Sequence, residues 1–178
     1  FSPRGNMRFL KFVTALVAAA LLHFAGARLL PDFSLAVDLF LLVVALEARH
    51  GSPVAGMFAG LAAGMLADGL SGGPFGLYGF ANTAVGFGIA RAAQQLVVQR
   101  TTSLAGVFAA AAAAQQAILA ALALVFRDHA ELPDPLWLLV KVATTAFLGV
   151  AWTASANALA SRLKFRRANR ATKIQLPG

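Results

Sequence analysis

The chain has no cysteine among its 178 residues. Disulfides and thiolate-ligated zinc or iron–sulfur sites are therefore excluded. Charge is scarce: 12% of residues are charged, about half of the ~25% carried by a typical soluble domain. Acids are scarcer still, with seven Asp and Glu against fifteen Lys and Arg. There are three histidines, and His23 has no second His or carboxylate at ligand spacing beside it, which argues against a metal site. Nucleotide and hydrolase signatures are missing too. No GxxxxGK[ST] or GxGxxG opens a soluble helix. Ser71 lacks a nucleophile-elbow pattern and a nearby His base, so no enzyme activity and no cofactor is expected.

What the chain has instead is apolar length. It is 59% hydrophobic, with a mean hydropathy of +0.73. Apolar runs separated by short polar or proline-containing turns lie at 9–30, 33–46, 54–70, 75–98, 103–126 and 136–160. A helix needs roughly 17–25 residues to cross the hydrocarbon core. Five runs satisfy this, and the second needs residues 47–49 to reach the interface. All seven prolines fall outside the span interiors, as expected where each marks a helix boundary. The first run follows a basic start, like a signal peptide, but its length and the spans after it favour a retained anchor. Residues 1–6 precede Met7 and are set aside as a remnant. The expectation is an all-α integral membrane protein, with a six-helix transmembrane domain over 7–163 and a basic cytoplasmic tail over 164–178.

The basic residues orient it. With both termini cytoplasmic, the inner side holds Arg4, Arg8, Lys11, Arg49, Arg91, Arg100, Arg162, Lys164, Arg166, Arg167, Arg170 and Lys173. The outer side holds Arg28, Arg127 and Lys141, and its longest loop carries Asp128, Glu131 and Asp134. A re-entrant second run would put the tail and its six bases outside, against the positive-inside rule. The tail has no acid and reads as a flank touching anionic membrane lipid, or as a dock for an acidic cytoplasmic partner. The aromatics sit in the spans and do not interleave with the bases, so no nucleic-acid partner is expected.

The third run carries the most specific pattern. Gly56, Gly60, Gly64 and Asp68 are spaced four apart and share one helix face. The glycines open a groove where another helix can approach closely. The carboxylate lies in a membrane segment, where a charge is costly and has a specific partner. A turn follows, Ser71-Gly72-Gly73-Pro74-Phe75-Gly76-Leu77-Tyr78, with positive φ available at Gly72 and Gly73. Arg28, Asp38, Asp68 and Lys141 all fall near the outer ends of spans. One or two ion pairs would offset part of their desolvation; otherwise the bases snorkel and the acids face water. Asn82, Gln115, Gln116, Asn157 and His23 are expected in interhelical hydrogen bonds worth about 0.6–2 kcal/mol each, or in a ligand-lined cavity. The alanines of 109–114 give the fifth span a smooth surface for close packing.

The stretches Val37-Asp38-Leu39-Phe40-Leu41-Leu42, Gly51-Ser52-Pro53-Val54-Ala55-Gly56 and Gly60 through Tyr78 resemble the MreD family, rod shape-determining membrane proteins of bacteria. A Gly-rich helix ending in Asp and followed by Ser-Gly-x-Pro-x-Gly is the most specific part, and the motif covers about a quarter of the chain. The resemblance implies a non-enzymatic component of the elongation machinery for peptidoglycan in the bacterial inner membrane. The implied partners are MreC, which regulates RodA and its class B penicillin-binding protein, and MreB filaments on the cytoplasmic side. The implied fold is similar to the S component of energy-coupling-factor transporters. Asp38, Gly60, Gly64, Asp68, Ser71, Gly72, Pro74 and Gly76 match the motif as architectural residues. The competing expectation is a small-molecule-binding S component of a vitamin transporter, for which the polar residues are few and scattered.

Overall fold

A computed structural model describes residues 3–95, 101–126 and 134–174. Arg100, the outer-loop residues Arg127, Asp128 and Glu131, and the end of the tail at 175–178 lie outside the described residues. The elements are α1 (Pro3–Leu29), α2 (Phe33–Ala36), α3 (Leu39–Ala48), α4 (Pro53–Ser71), α5 (Leu77–Gln95), α6 (Thr101–Phe126) and α7 (Pro135–Ile174). Among the described residues there is no strand.

Four segments are long and apolar enough to cross a membrane: Asn6–Leu29, Pro53–Ser71, Leu104–Phe126 and Pro135–Leu159. The other two expected spans behave differently. The run over 33–46 does not form one helix. It breaks after the single turn of α2, where Val37 is extended (φ −132°, ψ 130°). Asp38 then caps α3, its carboxylate accepting a hydrogen bond from the Leu41 amide at 2.9 Å. An Asp at this position competes for the helix start rather than the helix interior, and that splits the run. α5 is long enough, but Asn82, Arg91, Gln94 and Gln95 dilute its hydropathy. α7 continues through the first part of the basic tail, to Ile174.

α3 is the centre of the molecule. Leu41, Val44, Ala45 and Ala48 are at most 1% exposed. One side packs with Val85, Ile89 and Ala90 of α5 and Phe108, Ala111 and Ala112 of α6. The other side, through Phe40 and Val44, packs with Ala63 and Ala67 of α4. Apart from Glu47 near its end, α3 is apolar on every side, as a mostly buried helix is. The start of α4 is local chemistry: Pro53 opens it, and the Ser52 hydroxyl accepts from the Ala55 amide at 3.2 Å.

Candidate functional site

The glycine face of α4 is filled by α5 of the same chain. A Cβ at Gly56 would collide with the Gly86 carbonyl, and one at Gly60 with the Asn82 carbonyl. One at Gly64 would lie 2.6 Å from the Gly79 Cα. The obstacles are backbone, so a side chain cannot be accommodated by rotation. α5 answers with Gly79 and Gly86 of its own, Gly86 against the Gly56 backbone. Close backbone approach between small-residue faces maximises van der Waals contact where lipid removes the hydrophobic drive. Sequence reading found the α4 half of this seam and missed the α5 half. The signal was present, since Gly79, Asn82 and Gly86 also recur at helical spacing.

Asp68 closes the same seam. It is 2% exposed, and its two carboxylate oxygens accept from the backbone amides of Tyr78 (3.0 Å) and Gly79 (2.9 Å). These are the second and third residues of α5. The last turn of α4 thus supplies the cap of the next helix, and the carboxylate sits where the helix dipole is positive. Between them, Gly72 ends α4 in the left-handed region (φ 65°), and the Ser71 hydroxyl donates to the Asp68 carbonyl at 3.0 Å. The second positive φ is at Gly76 (102°), not Gly73. Pro74 lies in the turn between the helices.

Asp38 does a related job one helix over. Besides capping α3, its other oxygen accepts from Gln115 Nε2 at 2.8 Å. The same amide nitrogen donates to Asn82 Oδ1 at 2.8 Å, and Gln115 Oε1 accepts from Gln116 at 3.2 Å. The start of α3, the middle of α5 and the middle of α6 are therefore joined through one fully buried glutamine.

The expected ion pairs are not formed. Among the described residues the one salt bridge is Arg8–Glu47, 2.9 Å, a pair the sequence reading did not anticipate. Both acids find helix N-termini and amides instead, which stabilise an anion without a countercharge. Arg28 stacks over the Phe24 ring at 4.4 Å. Lys141 is buried, its ammonium 6.0 Å from the centre of the Tyr78 ring. Asn157 is exposed rather than joined to a neighbouring helix, and His23, half-buried, packs against Phe33 and Phe40. Thr144 was not singled out from sequence, yet its hydroxyl bonds the Ala36 carbonyl and ties α7 to the break before α3. Outside the spans, His50 has its pKa lowered, by burial first and then by Arg49 and Arg8, with Glu47 opposing. Among the described residues no group of three His, Asp or Glu side chains could hold a metal.

A helical bundle with four membrane-length apolar segments, knit internally by capped acids and amides, defines a polytopic membrane protein. Its family follows from comparison. The family model of the rod shape-determining protein MreD matches residues 4–132, most of the chain, and the chain belongs to that family. No curated protein and no solved structure matches it.

Proposed function

We propose that this protein is a non-enzymatic scaffold of the rod complex that binds MreC and through it helps control peptidoglycan synthesis by RodA and its class B penicillin-binding protein, with MreB beneath the membrane. The observation that carries this is the family match over residues 4–132. The use of the buried polar groups supports it. Asp38, Asp68 and Gln115 are engaged with neighbouring side chains or with backbone amides, as an architectural role requires, while Asn82 is engaged through Oδ1 alone.

The topology that goes with this reading has six crossings, α1, α2 with α3, α4, α5, α6 and α7, and both termini on the cytoplasmic side of the inner membrane. Residues 7–163 are the membrane domain and 164–178 the tail. The arrangement is one similar to the S component of energy-coupling-factor transporters. Gly56, Gly60, Gly64, Asp68, Ser71, Gly72, Pro74 and Gly76 build its hairpin, Asp38 its centre, and Arg28 and Lys141 its outer edge.

The test is co-expression with MreC of the same organism, solubilisation in mild detergent and purification through a tag on MreC alone. Stoichiometric co-elution is the expected result. A protein that elutes alone, well-behaved and with a small molecule detectable by mass spectrometry, overturns the scaffold in favour of a vitamin-transporter S component.

A further inference from the structure

Among the described residues, α1 and α7 both pack on α3, and no Cα of one comes within 8 Å of a Cα of the other. Between them lies an apolar groove of about 510 Å³. Leu42, Val43 and Leu46 of α3 form its floor, and Trp152 of α7, 62% exposed, stands on one wall. On α1 the lining runs from Lys11 to Leu22. At 1.5 Å per residue that is roughly 17 Å, a little over half of the ~30 Å hydrocarbon thickness. A crossing partner helix needs the full thickness. The groove has the depth of one leaflet, which is the reach of an acyl chain.

Its polarity is confined to one end, where Lys11, Glu47 and Ser155 line it. Glu47 is already paired with Arg8 at 2.9 Å. Lys11 is exposed and has no salt bridge among the described residues, so it remains as the unneutralised charge at the mouth. Of the charged side chains acting on His50, just beyond this end of α3, Arg49 and Arg8 are positive and Glu47 is negative, so the balance is positive.

We infer that this groove holds one anionic phospholipid, its acyl chain along α3 and its phosphate on Lys11. The orientation proposed above puts that lipid in the cytoplasmic leaflet, where anionic lipid gives a negative surface. The lipid acts as a wedge that completes packing between α1 and α7.

The test uses Trp152 as the reporter. The chain has two tryptophans, so Trp137→Phe leaves Trp152 alone. The full chain is reconstituted in vesicles of phosphatidylcholine with either brominated phosphatidylglycerol or brominated phosphatidylcholine, and quenching is titrated. The expected result is a saturable preference for the anionic lipid of about fivefold, the factor one surface lysine supplies. Lys11→Gln, at an exposed position, is expected to remove the preference, and Val43→Phe to lower the quenching by filling the floor. Equal quenching by both headgroups, or a preference that survives Lys11→Gln, overturns the inference. So does loss of all quenching when MreC is bound, which would give the groove to a protein helix. Headgroup selectivity does not depend on which leaflet is occupied, nor MreC co-elution on the lipid, so the two proposals fail separately.

Discussion

The seam between α4 and α5 and the flank formed by α1 and α7 are both apolar helix surfaces, yet they are built on opposite rules. At the seam, glycines bring backbones into contact, and the carboxylate of one helix caps the next. On the flank, Phe9, Leu21, Leu22, Leu139 and Phe147 are exposed and large. A third of the apolar stretch of α4 is buried, 33%, against 6% of that of α1. The conspicuous glycines and acids thus mark what the protein does to itself. The apolar surfaces left open, on α1 and α7, lie where the sequence is least distinctive.

The largest effect expected is at the seam. Gly60→Leu places a branched side chain against the Asn82 backbone, which cannot rotate away. Overpacking costs about 1–3 kcal/mol where side chains can yield, and more here, so loss of the folded species in size-exclusion chromatography is expected. Gly88→Leu is the paired comparison. It lies on α5, where an added Cβ would meet nothing within 4 Å, and a change within about 0.5 kcal/mol is expected. Equal behaviour of the two variants would erase the distinction between seam and surface.

Asp68→Ala comes next. It strands the amides of Tyr78 and Gly79, and about 2–3 kcal/mol of stability is expected to go with them, read as a lowered thermal midpoint in detergent. Asp68→Asn keeps one acceptor and is expected to cost less. If Lys141 were the true partner of Asp68, Lys141→Met would destabilise as much as Asp68→Ala. Gln115→Leu follows, at about 1–2 kcal/mol, since it removes the donor shared by Asp38 and Asn82. A double variant Gln115→Leu/Asn82→Leu that costs the sum of the two single changes would show that the network is not coupled.

How much of this was legible in the sequence depends on the range of the interaction. The proline boundaries, the α4 glycine face and the apolar runs other than 33–46 are local periodicities, and among the described residues they emerge close to the helices observed. The sequence marks Asp68 as a carboxylate in need of a partner and offers a cation or water for it; the structure supplies backbone amides. The charge of a carboxylate is visible in a sequence. The two amide hydrogens freed at the start of a helix ten residues away appear only once the chain turns. The break at Val37 was hidden for the same reason, because Asp38 reads as an interruption of an apolar run until Leu41 and Gln115 are seen to bond it. The Arg8–Glu47 pair spans 39 residues, with no spacing rule to predict it.

The smallest effect expected belongs to the turn after α3, away from the seam, and is set by pH. His50 has a folded pKa below its ordinary value of 6.5, through burial and then the nearby Arg49 and Arg8. The unfolded chain therefore binds this proton more readily than the folded one. The stability His50 contributes is full above 6.5 and is lost as pH falls through that value toward the folded pKa. His50 is only partly buried, so the loss is smaller than any of the changes above. Comparing thermal midpoints at about pH 7 and about pH 5.5, His50→Gln is expected to flatten part of the acid dependence. Asp68→Asn is expected to lower both midpoints and leave the contribution of His50 in place. If His50→Gln left the acid dependence unchanged, burial and the neighbouring arginines would together be too weak to move this proton.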